Sequence, residues 1–159
     1  MIFASLILQS GVLNSLKIGG AKPDLMLACV IFCGLFMGTA AGLESGLVAG
    51  FLKDIFALDY FWINTFTLAL TGLVVGAASA KFFKESKRTE FIIVLIFTAL
   101  SMSLHYILVA LFSRSLGINY QEFFINSILA SSIYTALVSI PLYVALINIY
   151  NLKEVDEFL

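Results

Sequence analysis

The sequence predicts an all-α integral membrane protein, a bundle of six transmembrane helices, from its composition, its long apolar runs and its glycine spacing. Its 159 residues are 61% hydrophobic and 12% charged, and the mean hydropathy is +1.04. Soluble domains are about 45–50% apolar and about 25% charged. A small soluble domain has too much surface to hide such an excess of apolar side chains. We therefore expect residues 1–159 to form a single polytopic membrane domain.

Glycine recurs at every fourth position through one apolar stretch, and an aspartate takes the next place in the series. The members are Gly34, Gly38, Gly42, Gly46, Gly50 and then Asp54. In a soluble helix each interior glycine costs about 1 kcal/mol relative to alanine. In a membrane helix, small residues at this spacing allow a second helix to approach closely. The series predicts tight helix packing, either within this chain or against the membrane helix of a partner.

The first predicted helix occupies residues 1–17 and carries the polar Gln9. A short turn follows, and Pro23 and Asp24 open the second helix. Proline suits the first turn of a helix, and an acidic side chain is favourable at its positive end. Since a spanning helix needs about 20 apolar residues, with a range of about 17–25, each of these runs is a candidate span.

The second and third predicted helices form a hairpin. Their apolar runs, 25–42 and 43–58, are separated only by Glu44 and the glycines. Together they are too long for one ordinary span. We therefore predict a tight turn near residues 42–45. If 25–57 instead acts as one span with a re-entrant piece, the bundle has five spans.

A turn at that position divides the glycine series between two helices. An ideal helix turns about 400° over four residues, so a series at this spacing drifts around the helix and its five members cannot all face one way. The hairpin resolves this difficulty by setting Gly34 and Gly38 against Gly46 and Gly50.

Three further helices are predicted at 61–80, 91–113 and 122–150, with a kink at Pro141 in the last. The segment 81–90 between the fourth and fifth is the only strongly charged loop of this pattern. Lys and Arg concentrate on the cytoplasmic side of membrane proteins. We therefore expect this loop and both termini to be cytoplasmic.

The chain offers no recognisable set of catalytic or metal-binding residues. It has no nucleophile–His–carboxylate set and none of the motifs HExxH, GxxxxGK[ST] or CxxC. Cys29 and Cys33 lack a second ligand cluster and are predicted to be small core residues. A net charge of −1 provides no polybasic surface for nucleic acid. We predict a non-enzymatic protein without cofactor or metal.

A few polar residues within the apolar runs need their own interpretation. His105 is predicted to be a neutral, hydrogen-bonded side chain, because no Asp or Glu lies within its helix to make a proton relay. Lys53 is expected to extend toward the membrane interface. Asp54 is expected either to cap the next turn or to bind a partner.

Several short motifs follow one another in a characteristic order. They are Leu-Gln-Ser at 8–10, Pro-Asp-Leu at 23–25, a glycine-rich hairpin ending at 50–56, and Asn64 before the apolar helix 68–76. In this order they resemble the MreD family, the small polytopic rod-shape-determining membrane proteins of bacteria. Lys53 departs from the family, where that place is usually apolar. The loop before Asn64 also lacks the usual glycine.

The resemblance implies a non-enzymatic subunit of the cell-elongation machinery in the bacterial inner membrane. Proteins like MreD associate with the bitopic protein MreC. Through MreC they connect the cytoskeletal MreB to the glycosyltransferase RodA and its penicillin-binding partner. The partners implied are these proteins and membrane lipid, and not nucleic acid.

The family is also similar in fold to the six-helix substrate-binding components of energy-coupling-factor transporters. By that analogy Gln9, Pro23, Asp24 and Asn64, together with Asp54, border a cavity or docking surface near the outer leaflet.

An alternative function is that of a vitamin-binding subunit of such a transporter. A small-molecule site needs convergent polar and aromatic side chains in a cavity. The predicted outer turns contain side chains of this kind. They are Tyr60, Trp62, Asn64, Asn119 and Tyr120.

Overall fold

The computed structural model describes residues 23–56, 62–82, 87–113 and 128–150. These ranges contain four helices: α1 (Leu25–Phe56), α2 (Ile63–Phe82), α3 (Lys87–Ser113) and α4 (Ala130–Tyr150). The all-α class is confirmed for these ranges, while a count of six helices is not shown. The first predicted helix, 1–17 with Gln9, lies outside the described residues.

The described helices have the length and composition of membrane segments. By length and composition alone, Leu25–Phe56 and Phe91–Phe112 are candidates to cross a membrane, the first of them with an interruption at Gly38, and Ile63–Ser79 and Ala130–Pro141 are shorter apolar helices. Many large apolar side chains on the outside of the bundle remain exposed. Such a surface is suited to lipid rather than to water.

The helix α1 is a hairpin, because its backbone is not helical at Gly38, where φ is 86° and ψ is −170°. The ammonium of Lys53 contacts the carboxylate of Asp24, although the two residues are 29 positions apart. A straight helix would separate them by about 43 Å. The chain therefore reverses at Gly38 into a first arm, 25–37, and a second arm, 39–56.

The predicted turn near residues 42–45 is wrong, since the reversal occurs at Gly38. Glu44 is exposed on the second arm, and the hydroxyl of Ser45 donates to the Gly42 carbonyl at 3.0 Å, a bond that forms within a helix. The conformation at Gly38 is one that residues with a Cβ rarely adopt. Backbone conformation rather than the charge of Glu44 determines where the chain turns.

The first arm lies at the centre of the described bundle. All of its residues from Leu25 to Phe32 are buried, as are Gly34 and Leu35. A helix that is apolar on every side is typical of such a central position. The second arm is buried on one side only, and Leu47, Val48 and Phe51 are exposed on the other.

The remaining helices agree with the predicted runs except at their ends. The charged segment 81–90 is not entirely a loop, because Lys87–Ser113 begins within it. α4 begins at Ala130, and it contains Pro141. Among the described elements, α1 and α2 make the most extensive contact, whereas few residues of α3 are fully buried.

Candidate functional site

The glycine series forms a close contact between α1 and α2. We name this contact the glycine seam; it comprises Gly34, Gly42, Gly46, Gly50, Gly72 and Gly76. A Cβ atom placed on Gly46 would lie 2.7 Å from the Cα of Ala69, and one on Gly50 would lie 2.7 Å from the Asn64 carbonyl oxygen. Real Cβ atoms do not approach backbone this closely. The second arm therefore lies directly on the backbone of α2.

The two glycines of α2 complete the seam from the other side. A Cβ on Gly72 would lie 2.6 Å from the carbonyl carbon of Gly42, and one on Gly76 would lie 2.7 Å from the amide nitrogen of Thr39. Lipid tails provide no hydrophobic drive between helices, so close van der Waals contact and polar contacts stabilise the pair. Small residues on both sides make this contact possible.

The predicted pairing of Gly34 and Gly38 with Gly46 and Gly50 is wrong. Because the chain turns at Gly38, Gly34 instead lies next to Gly42, where an added Cβ would be 2.9 Å from the Gly34 Cα. A Cβ on Gly38 would meet no atom within 4 Å. Most of the series faces α2, and its role as a docking face for a partner stays a prediction.

Asp54 caps the N-terminus of α2, which confirms the capping interpretation of this residue. Its side chain is buried, and its oxygens accept backbone N–H bonds from Trp62, Asn64 and Thr65 at 2.9–3.1 Å. The Asn64 amide donates to Asp54 at 2.9 Å and the Thr65 hydroxyl at 2.5 Å. Helix N-termini leave such donors unpaired, and a carboxylate there is favourable. Partner binding by Asp54 stays a prediction.

Trp62 lies just before α2 and packs against the end of α3. Its ring meets Phe112 edge to face, with centroids 5.1 Å apart, and it also contacts Phe66. The side chain is 44% exposed. Tryptophan at the end of a membrane helix is typical of the membrane–water interface.

Asp24 joins three parts of the fold. One carboxylate oxygen accepts the backbone N–H of Leu27 at 3.1 Å and so caps the first arm. The other carboxylate oxygen pairs with Lys53 of the second arm. The backbone N–H of Asp24 donates to the Thr135 hydroxyl of α4 at 3.0 Å. Pro23, immediately before it, is buried and precedes the helix.

Lys53 forms an ion pair with Asp24, and its extension toward the membrane interface stays a prediction. The side chains of Lys53 and Asp24 are 22% and 14% exposed. The position of Lys53 in the sequence does not indicate Asp24 as its partner, since only the reversal at Gly38 brings the two residues together. Lys53 is a site residue that the sequence interpretation missed.

His105 lies in α3 and is half-buried, within electrostatic range of Lys53, Asp24 and Asp54 on α1. The sequence interpretation considered only acidic residues within the same helix. We name the residues that meet at this end of the bundle the polar end: Asp24, Lys53, Asp54, Asn64, Thr65, His105 and Thr135.

The side chains predicted to form a vitamin site do not converge among the described residues. Asn64 is engaged with Asp54, and Trp62 packs on aromatic rings. Tyr60, Asn119 and Tyr120 lie outside the described residues. Beside the polar end there is an open groove of about 360 Å³, and its lining is apolar. The groove is lined by Leu47, Val48, Phe51, Leu52 and Thr65.

The described ranges contain no group of three or more His, Cys, Asp or Glu side chains that could hold a metal ion. Neither Cys29 nor Cys33 forms a disulfide, and Cys29 is buried. The described part of the site is thus a set of helix caps, one ion pair and a packing seam, an arrangement that holds helices together.

Comparison with protein families gives a match that covers nearly the whole chain. The model of the rod shape-determining protein MreD matches residues 1–153. No curated protein and no solved structure matches the chain.

Proposed function

The chain belongs to the MreD family of rod shape-determining proteins, and from that membership we propose that it is a non-enzymatic membrane scaffold of the cell-elongation machinery. In this role it docks MreC and so links MreB to peptidoglycan synthesis by RodA and its penicillin-binding partner. The family match is the observation that carries the proposal. Among the described residues, nothing favours the predicted alternative, a vitamin carrier, since the groove beside the polar end is apolar.

The docking surface that we propose is the outer side of the second arm. The glycine seam is filled by α2, so the glycines contribute by fixing the position of this arm rather than by meeting the partner. On its opposite side the arm exposes Leu47, Val48 and Phe51 beside the groove. The membrane helix of the bitopic protein MreC is an occupant of suitable chemistry for an apolar groove within lipid.

We further propose that the chain is a multi-pass protein of the bacterial cytoplasmic membrane with both termini in the cytoplasm. The polar end then lies toward the outer leaflet, and the turn at Gly38 lies about 20 Å deeper, on the inner side of the bilayer centre. The cluster of Lys and Arg in residues 81–90 supports this orientation.

The experiment is capture of MreC by the tagged chain from solubilised bacterial membranes, with bound proteins identified by mass spectrometry. We expect the wild-type chain to retain MreC. The substitution Val48→Trp, which fills the groove, should lower the captured MreC by about tenfold, equivalent to about 1.4 kcal/mol of binding.

A matched control is Leu100→Trp on α3, which also adds an indole to an exposed apolar position. We expect this variant to retain MreC at the wild-type level. Absence of MreC from the wild-type capture would contradict the function. Equal capture by both tryptophan variants would contradict the docking surface.

A further inference from the structure

We propose that Glu44 forms an ion pair with a basic side chain of the membrane helix that docks on the second arm. This inference rests on the proposed function, and it adds the chemistry by which the docking surface recognises its partner. Glu44 is exposed on the second arm, and it has no hydrogen bond or ion pair with another described residue. The proposal starts from this carboxylate on an otherwise apolar surface.

The glycine seam places Glu44 near the middle of α2. Gly42, two residues before Glu44, contacts Gly72, and Gly46, two residues after it, contacts Ala69. Both contacts lie near the midpoint of α2, a helix of 20 residues. A helix of this length extends about 30 Å, which is the thickness of the hydrocarbon core. Glu44 is therefore about 15 Å from either end of a span of this length.

A carboxylate at that depth is costly when it faces lipid. Charged side chains within membrane segments are rare, and they pair with one another or face a protein interior or a water-filled cavity. Long side chains near a helix end extend to the interface, but the side chain of Glu44 is too short to do so from mid-helix. An exposed carboxylate at this position thus indicates that a further group covers it in the assembled complex.

Glu44 continues the exposed stripe of the second arm that we propose as the docking surface. The exposed positions recur at intervals of three or four residues, which is the spacing of one helix face. They are Ala40, Glu44, Leu47, Val48, Phe51 and Ile55. Val48 lies one turn from Glu44 and lines the apolar groove. A helix that lies along this stripe contacts both residues.

A lysine or arginine on the docking helix is the side chain that matches Glu44. Apolar contacts in the groove suit many membrane helices, so they discriminate poorly among them. A wholly apolar helix would leave the carboxylate buried without a partner, and this penalty disfavours wrong partners. The ion pair therefore supplies specificity at a surface that is otherwise defined by shape and apolar contact.

The test is capture of MreC by the tagged full chain from solubilised membranes, with the amount of each variant in membranes measured as well. We expect Glu44→Gln, which removes the charge and keeps the shape, to lower the captured MreC by about tenfold or more. Glu44→Asp, which keeps the charge, should retain more MreC than Glu44→Gln. The matched control is Glu90→Gln in the charged segment 81–90, which should retain MreC at the wild-type level.

A charge exchange tests the pairing itself. Glu44→Lys places like charges together and should abolish capture. Each lysine and arginine of the MreC membrane helix is then replaced by glutamate and combined with Glu44→Lys, and we expect one of these exchanges to restore capture. Restoration by none of them would contradict the ion pair. If Glu44→Lys fails to accumulate in membranes, the comparison of Glu44→Gln with Glu90→Gln decides alone.

The outcomes separate this inference from the proposed function. Wild-type capture of MreC together with undiminished capture by Glu44→Gln would overturn the ion pair and leave the proposed function standing. A wild-type chain that captures no MreC would overturn both. Rapid labelling of Glu44→Cys by a membrane-impermeant thiol reagent, in membranes that contain MreC and in a chain with Cys29→Ala and Cys33→Ala, would show water at this position. That result would overturn the ion pair as well.

Discussion

At the residue scale, the physical reason for glycine at position 38 differs from the reason at the other positions of the series. A Cβ at Gly38 would meet no atom within 4 Å, whereas one at Gly46 would lie 2.7 Å from the Cα of Ala69. At Gly38 the constraint is the backbone, with φ at 86° and ψ at −170°. At Gly46 the constraint is the neighbouring helix. Glycines that are equally spaced in the sequence are therefore required for two different physical reasons.

We expect Gly38→Ala to destabilise the hairpin by about 1–3 kcal/mol through backbone strain. Gly38→Asn should be no better, since asparagine tolerates the left-handed helical region but not a ψ near 180°. Denaturant titration in mixed micelles measures both effects.

Ala40→Gly, at an exposed neighbouring position, is the control for Gly38 and should cost no more than about 1 kcal/mol. Wild-type stability of Gly38→Ala would show that the chain does not turn at this residue.

Asp54 is the second residue with a defined structural role, which is to cap the N-terminus of α2. Both of its oxygens are used, one by Asn64 and the other by Trp62 and Thr65. We expect Asp54→Ala to cost about 2 kcal/mol or more, because it leaves buried donors unpaired. Asp54→Asn keeps one acceptor oxygen and should lose less.

The loss of this cap is measured by the same denaturant titration, or by the rate at which a protease cleaves the segment between α1 and α2. Glu44→Ala on the same arm is a suitable control, because Glu44 is exposed. The capping interpretation would be contradicted if Asp54→Ala and Glu44→Ala were equally stable.

At the element scale, the unit that organises the fold is the hairpin with α2 laid along it. The sequence predicted close helix approach from the series beginning at Gly34, and this part of the prediction is confirmed. It paired the wrong elements, because it set the two arms of the hairpin against each other, whereas Gly46 and Gly50 lie against α2. Gly72 and Gly76 repeat the same four-residue spacing in α2, and this match is the pattern from which the partner element could have been found.

We expect Gly46→Leu and Gly50→Leu to lower the amount of folded protein in membranes, because each side chain would enter the backbone of α2. The effect of Gly46→Ala should be smaller but still measurable, since even a Cβ there lies under 3.0 Å from backbone. Quantitative immunoblotting of membranes and capture of MreC measure the two consequences.

Val48→Leu, on the exposed side of the same arm, should leave protein level unchanged. If the leucine variants at Gly46 and Gly50 match it in both level and capture, the seam does not depend on close approach.

At the scale of the whole molecule, the described chain has a polar end and an opposite end at the turn of Gly38. Asp24, Lys53 and the N-terminus of α2 lie at the first, and the residues after Gly76 lie at the second. The apolar runs predicted the described helices well, because hydropathy alone determines which segments suit lipid.

The contacts between distant segments could not be predicted in the same way. The Asp24–Lys53 pair depends on a turn whose position is set by one backbone conformation, and several glycines are candidates for it. The acidic side chains within electrostatic range of His105 belong to α1 and not to its own helix. Local spacing describes neighbours on one helix, whereas these contacts join separate segments.

Orientation in the membrane gives a prediction for the whole chain. Reporter fusions within residues 83–86 should be active only in a cytoplasmic assay, and fusions within 57–61 only in a periplasmic one. The concentration of Lys and Arg around the first site is the physical reason. An external location for residues 81–90 would contradict the orientation.

The hairpin reversal at Gly38 is the central structural claim, and the most direct measurement of it is cross-linking between positions 24 and 53. Cysteines introduced by Asp24→Cys and Lys53→Cys, in a chain with Cys29→Ala and Cys33→Ala, are treated with a short bifunctional thiol reagent. Intact mass then distinguishes one linker joining both cysteines from two separate adducts. A control pair, Asp24→Cys with Ala40→Cys, should not cross-link, because a closed hairpin separates these positions by about 20 Å along its axis. The account predicts one linker for the 24–53 pair and two adducts for the control; two adducts on the 24–53 pair would contradict it.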